Sequence, residues 1–294
     1  MAADQIGQVR RFNRLVTQRA GALDDHFLGR DRPLGASRVL YEIATTGADL
    51  RALRGRLGLD SGYLTRIIQS LQAERLVRLS PAPTDERVRR VDLTPAGIAE
   101  FKLMERRSDD AAEAVLAPLS KSQRERLVAA MTEVRRLLQA SGARIEKVDP
   151  GSPEARWCVA QYFAELADRF DGGFDPARSL PADDDEFRPP RGAFLVASID
   201  GEPVACGGVK PITRRIGYLK RMWVAPSVRG LGFGRRMLFS LESVSRDLGF
   251  KTLKLETNRV LGEAIHLYRS AGYKEVKPFN DERYAHHWFE KKLK

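Results

Sequence analysis

Cysteine is nearly missing from this chain of 294 residues, which has only Cys158 and Cys206. Neither a disulfide framework nor a thiolate metal site is therefore expected. Histidine is scarce too, four in all, and the one close pair, His286 and His287, is adjacent in sequence. Neighbouring positions cannot chelate an ion from one helix face, so no metal is expected. No apolar run approaches the ~18 residues of a membrane span. The opening MAADQIGQVRRFNR has charges but no hydrophobic signal core, which predicts a cytoplasmic protein with no membrane partner. Internal repeats and low-complexity tracts are absent. The short acidic run Asp183-Asp184-Asp185-Glu186 between prolines reads as a solvated loop.

What is present is a core-forming composition, 43% hydrophobic, in a chain too long for one average domain. A net charge of +11 favours a polyanionic partner, although arginine-rich chains that bind nothing share the property. Helix-like periodicity dominates to about residue 140 and breaks at Ser141-Gly142 and again at Asp149-Pro150-Gly151-Ser152-Pro153. Beyond that point β-branched or alternating runs appear, among them Ala193 to Ile199, Tyr218 to Val224 and Leu253 to Thr257. The expectation is a mainly α domain over 1–140 followed by an α/β domain over 141–294.

In the first domain Asp49 can cap a short helix carrying Leu50, Leu53 and Leu57, Gly58 stops it, and Asp60-Ser61 offers a fresh cap. The second helix places Leu64, Ile67, Ile68 and Leu71 on one stripe, with Gly62, Thr65, Arg66 and Gln69 opposite. Those opposite residues are short or carry hydrogen-bonding groups that reach base edges and phosphates in a major groove. Leu76 to Leu79 and Arg89 to Leu93 read as strands around the polar, basic tip Pro81 to Arg87, which could enter a minor groove. This order, with Asp85-Glu86-Arg87-Val88-Arg89-Arg90-Val91-Asp92-Leu93-Thr94-Pro95-Ala96-Gly97, resembles the winged helix-turn-helix regulators of the MarR family over roughly residues 4 to 140. The resemblance implies an internal pairing of Asp85 with Arg87 that presents the arginine to DNA. It also implies a homodimer through the terminal helices, here the segments near Phe12 to Phe27 and Ile98 to Leu138, bound to a pseudo-palindromic site on double-stranded DNA. Ser61, Thr65, Arg66, Gln69, Arg87 and Arg89 are the candidate DNA contacts.

In the second domain the stretch Tyr218 to Arg236 reads strand, proline stop, glycine-rich turn and helix, the helix carrying Met237, Leu238, Leu241, Val244 and Leu248. Unpaired N–H groups and the positive dipole end meet at such a turn, and glycines let an anion approach the backbone. A nucleotide-hydrolysing loop needs Gly-Lys-Ser/Thr, and Gly234-Arg235-Arg236 does not supply it. A dinucleotide fingerprint needs a third glycine where Arg235 stands. Arg229, Gly232 and Gly234 instead form Arg-x-x-Gly-x-Gly after a strand ending in Val-x-Pro. This resembles the acyl-CoA signature of the GNAT N-acetyltransferase superfamily, over about residues 143 to 291.

That resemblance implies an α/β fold with a mixed, mostly antiparallel central sheet, and acetyl-CoA as cosubstrate. It assigns cofactor binding to Arg229, Gly230, Leu231, Gly232, Phe233, Gly234 and Arg235, to the main chain of Met222, Trp223 and Val224, and to Asn258 and Tyr268. It further implies direct transfer to an amine, with no Ser or Cys nucleophile and with Tyr268 donating to the departing thiolate. Many relatives place a Glu where Tyr218 stands, so Glu256, Glu202 and water all stay open as the base, Glu256 being grouped with Tyr268 as catalytic. The segment Phe170 to Arg191 is expected to cover the acceptor pocket, and a small amine or amino acid is favoured over a protein lysine. Aspartates 183 to 185 would attract a cation, while Arg221 and Arg214 would hold a carboxylate. Three readings stay open for the whole chain: a bifunctional enzyme and regulator, a regulator that only senses acyl-CoA or an amine, and an enzyme whose helix-turn-helix only dimerises.

Overall fold

A computed structural model describes residues 3–22, 26–44, 46–82 and 85–294, with the backbone alone at Ala3, Ala82 and 85–88. The chain divides into two compact units, Met1–Val128 and Ala129–Lys294.

The first unit opens with α1 (Ala3–Arg19), followed by α2 (Leu34–Ile43), a short β1 (Ala48–Asp49), α3 (Leu50–Leu57) and α4 (Ser61–Ala73). A hairpin of β2 (Val77–Ala82) and β3 (Asp85–Leu93) leads to α5 (Pro95–Leu116), and α6 (Lys121–Ser141) runs across the division between the units. Local chemistry sets these limits. Asp49 accepts from Ala52 N at 2.8 Å and Asp60 from Tyr63 N at 2.8 Å, each satisfying an orphan helix donor. Gly58 closes α3 in the left-handed region at φ 63°. The stripe expected on α4, Leu64, Ile67, Ile68 and Leu71, is buried with Leu40, Ile43 and Leu53. Each such side chain contributes about 1.5–3 kcal/mol.

The hairpin is longer than its polarity suggested, because pairing continues from Val77↔Leu93 out to Ala82↔Asp85, with an irregularity at Pro81/Ala82. Main-chain pairing in a ribbon open to solvent does not require apolar side chains, and the irregularity accommodates a proline that cannot donate to the ladder. Residues 83–84, between the two strands, lie outside the described residues.

The second unit is a mixed sheet of order β4-β5-β6-β7-β8-β10-β9, in which only the β7–β8 pair is parallel. Its strands are β4 (Arg144–Val148), β5 (Ala193–Ile199), β6 (Glu202–Thr213), β7 (Ile216–Val224), β8 (Thr252–Thr257), β9 (Lys274–Val276) and β10 (His287–Lys292). Helix α7 (Pro153–Arg169) follows β4, α8 (Phe233–Asp247) crosses from β7 to β8, and α9 (Gly262–Ser270) follows β8. The inner face of α8 puts Met237, Leu238 and Leu241 at 0% exposure against the sheet. A mixed, mostly antiparallel sheet is the architecture expected for this half.

One irregularity positions the site. The β7 and β8 strands pair only at Ile216↔Thr252, Gly217↔Leu253 and Tyr218↔Lys254. Beyond Tyr218 they part, and β7 also shifts register against β6 between Cys206 and Gly208, with Arg221 in the left-handed region at φ 56°. A bulge of this kind bends a strand and re-aims its side chains. The edge of β7 that faces β8 is thus left without a strand partner from Leu219 onward.

Candidate functional site

Two cavities open where these strands part. The first, about 380 Å³, lies between Met222, Trp223 and Val224 of β7, the turn Arg229 to Arg235, and α9. The second, about 230 Å³, is lined by Leu219 to Met222, by Glu256, Thr257 and Asn258 at the end of β8, and by the segment from Phe170 to Ala182. Tyr162, Leu166, Met222, Leu261, Ala264 and Tyr268 line both, so the two share a wall.

The glycine turn leaves main-chain donors open. Gly230 and Gly232 both sit at φ 81°, a conformation that costs a residue with Cβ roughly 1–2 kcal/mol. A Cβ added at either would meet no atom within 4 Å and would stand in the open cleft. Among the described residues, the main-chain N–H groups of Gly230, Gly232, Phe233, Gly234 and Arg235 have no acceptor, because α8 starts here and its first donors face outward. Free amides at a positive helix end suit a diphosphate. The side chains play different parts. Phe233 is 1% exposed in the core, and Leu231 packs on that core while its N–H donates to Val228 O. Both can therefore serve the cleft only through main chain, and Leu231 does not line it.

Arg229 turns inward. Its Nη2 donates to Glu165 at 2.5 Å and its Nε to Val224 O at 3.1 Å. Glu165 also accepts from Trp223 Nε1 at 2.8 Å and Arg169 Nη1 at 2.9 Å. Burial alone would raise the Glu165 carboxyl, but Arg229, Arg169 and Trp223 together hold it below its ordinary range. Arg169 continues the network to Glu263 and to Val260 O. The guanidinium of the glycine motif thus ties the turn to α7, and Arg235, exposed and bonded to Ser270 Oγ at 2.9 Å, is the freer cation.

At the second cavity Glu256 is the most buried carboxylate beside Glu282. Its side chain is 5% exposed, Oε1 accepts from Lys220 Nζ at 2.8 Å, and Oε2 is buried without a partner. Lys220 also lies 3.5 Å from Glu282, which accepts from Ser179 Oγ and Leu180 N at 2.8 and 2.9 Å. Burial opposes ionisation of Glu282, yet these donors keep its pKa low. The Tyr218 hydroxyl accepts from Asn280 Nδ2 at 2.7 Å, and burial, then the Glu256 charge, pushes its pKa up.

Tyr268 sits on the shared wall at 7% exposure, its hydroxyl 3.8 Å from Met222 Sδ. Burial, and second the Glu256 carboxylate, raises its pKa, so the phenol stays protonated. Asn258 is spent internally: Nδ2 donates to Tyr284 O at 2.8 Å and Oδ1 accepts from Val260 N at 3.1 Å. It faces the second cavity rather than the glycine turn.

The model of the acetyltransferase (GNAT) family matches residues 160–273, spanning this cleft, and that of the MarR family matches residues 30–88. The chain is 38% identical over 123 residues to IAA acetyltransferase of Azospirillum brasilense, covering 41% of this chain and 80% of that protein.

This chain belongs to the GNAT acetyltransferase family. It is an acetyltransferase joined to a MarR-family regulator domain. It is also 33% identical over 93 residues to the uncharacterized N-acetyltransferase YjgM of Escherichia coli, covering 31% of this chain and 56% of that one. Among solved structures, an acetyltransferase of the GNAT family from Staphylococcus aureus aligns at 17% identity with a TM-score of 0.46, covering 52% of this chain and all of that one.

Several residues expected to serve this acetyltransferase are placed elsewhere or committed. Glu202 is the exposed first residue of β6 and lines neither cavity. Arg214 lies on the exposed turn before β7. Of the acidic run, Asp184 pairs with Arg221 at 3.1 Å, Asp185 pairs with Arg188, and Asp183 and Glu186 form a reciprocal cap. Asp184, Asp185 and Glu186 thus have local cation partners, while Asp183 and Asp185 stay exposed to solvent. Sequence reasoning did not single out Tyr162, Glu165, Arg169, Lys220 or Glu282. They carry no motif, and only the fold brings α7 and residue 282 to the parted strands.

In the regulator domain Ser61, Thr65, Arg66 and Gln69 are exposed on one face of α4, with Thr65 Oγ1 bonded back to Ser61 O at 2.7 Å. Arg89 is exposed on β3 and lines a groove with Arg51, Arg54, Ser61, Thr65 and Gln69. The side chains of Asp85 and Arg87 lie outside the described residues. A described pair two residues apart on the same strand is Arg90 with Asp92 at 3.0 Å, Arg90 also donating to Thr46 O.

Proposed function

We propose that this chain acetylates an amine from acetyl-CoA and also binds DNA through residues 1–140, with residues 141–294 as the transferase. The observation that carries the first half is the two-sided cleft: unpartnered amides of the glycine turn on one side, and a buried carboxylate oxygen without a donor on the other. Free amides of Gly230, Gly232, Phe233, Gly234 and Arg235 would hold the diphosphate, with the main chain of Met222 to Val224 along the parted strand edge. When bound, acetyl-CoA supplies an activated acyl thioester. Glu256 Oε2 receives the proton that the acceptor nitrogen must lose. Tyr268 donates a hydrogen bond on the sulfur side of the shared wall, and Asn258 shapes the site by fixing the turn after β8 to Tyr284. No step requires a side-chain nucleophile, and Cys158 and Cys206 stay buried.

For the second half, the exposed set Ser61, Thr65, Arg66 and Gln69, with Arg89 beside it, is suited to a major groove, and Arg87 keeps its assignment to the wing. Helix α1 supports a homodimer, since Ile6, Val9, Phe12 and Val16 recur at helical spacing and are 40–57% exposed.

The test is thiol release from acetyl-CoA by the full chain with a panel of amines, beside isothermal titration of acetyl-CoA. Binding with turnover of at least one amine is expected. Binding without turnover of any would replace the enzyme by a sensor. Separately, Arg66→Ala should weaken duplex binding and reduce its salt dependence, and unaltered affinity would leave the helix-turn-helix as a dimerisation module.

A further inference from the structure

We infer, resting on the acetyltransferase reading, that the acceptor is a primary amine carried on a short arm from a flat aromatic ring, with no carboxylate beside the nitrogen. The charge lining the second cavity points to the nitrogen end. Glu256 and Glu282 face it with Lys220 between them, and the other cation, Arg221, is already neutralised. Its terminal nitrogens donate to Asp184 Oδ1 at 3.1 Å and Ala182 O at 2.6 Å, and its Cζ lies 5.1 Å from the Phe187 ring centroid. With Arg221 paired to the half-exposed Asp184, Lys220 is left to face both Glu256 and Glu282, a net of one negative charge, and Glu256 Oε2 has no hydrogen-bond partner. Such a wall accepts an ammonium and repels a second carboxylate, so an α-amino acid is disfavoured by the same group that draws an amine.

The body of the acceptor is set by rings. Phe163, Phe170, Phe174 and Tyr284 all line this cavity, and their centroids are linked at 5.5 Å (Phe163–Phe174), 5.9 Å (Phe170–Phe174), 4.8 Å (Phe174–Tyr284) and 5.8 Å (Phe170–Tyr284). Edge and face contacts of this kind favour a further flat ring over a flexible chain. At about 230 Å³ the cavity is smaller than the roughly 300–1,000 Å³ of pockets for drug-sized ligands. It suits a single small ring system rather than a lysine on a protein surface.

The full chain with saturating acetyl-CoA is assayed by thiol release on 2-phenylethylamine, tryptamine, propylamine, phenylalanine and a lysine-containing peptide. The two arylethylamines are expected to exceed the other three in kcat/KM by about tenfold or more. Phe174→Ala is expected to raise KM for phenylethylamine several-fold while calorimetric affinity for acetyl-CoA is unaltered, which reports an intact fold. A preference for propylamine, phenylalanine or the peptide overturns this inference and leaves the acetyltransferase reading standing. Absence of turnover on every amine, with acetyl-CoA still bound, overturns both.

Discussion

Glu256 holds one oxygen against Lys220 and keeps the other buried and unsatisfied, a costly arrangement unless a ligand proton occupies it. Glu256→Gln keeps the shape and removes the basicity, so kcat/KM should fall by roughly 10²–10⁴-fold with acetyl-CoA affinity unaffected. A loss under about threefold, read by thiol release, would hand the proton to water. Tyr268 follows a different logic. Its raised pKa makes complete transfer to a thiolate, ordinarily near 8.5, an uphill step, so its contribution is the hydrogen bond itself. A bond to a charged group contributes about 1.5–3 kcal/mol. Tyr268→Phe should therefore lower kcat by roughly 10- to 100-fold while stability changes little; an unaltered kcat would reduce Tyr268 to packing.

At the scale of elements, the glycine turn and the parted strands make the site together. The motif around Gly230, Gly232 and Gly234 was legible because its requirement is local: left-handed backbone at a helix start, beside a strand stopped by Pro226. Gly232→Ala puts a Cβ into the cleft at φ 81°. It should weaken acetyl-CoA binding tenfold or more by calorimetry, with about 1–2 kcal/mol of lost stability from strain. Binding at full strength would show that the amides of this turn do not grip the coenzyme. The helix caps Asp49 and Asp60 and the buried stripe of α4 were legible for the same local reason. The length of the wing hairpin was not, since strand pairing in a solvated ribbon leaves little trace in side-chain polarity.

For the whole molecule, a helix with an exposed apolar stripe is hard to leave bare in water. Ile6, Val9, Phe12 and Val16 of α1 present such a stripe. Val9→Glu should shift the protein from dimer to monomer in sedimentation and weaken binding to a pseudo-palindromic duplex while thiol release persists. A dimer of unaltered affinity would place the interface elsewhere. No described helix is long and apolar enough to cross a membrane, and no group of three or more His, Cys, Asp or Glu side chains placed to hold a metal ion appears among the described residues.

Sequence by itself determined whatever depends on a few consecutive residues: the capped helix-turn-helix, the glycine cradle, the strand runs and the tyrosine one turn before Gly272. Tertiary structure decided how charges are spent, because an ion pair forms between residues that the fold brings together over distances no spacing rule covers. It turned Arg229 onto Glu165, 64 positions away, and consumed Asp184 on Arg221. It left Glu202 in solvent, and left Glu256 as the carboxylate with an oxygen to spare where β7 and β8 separate.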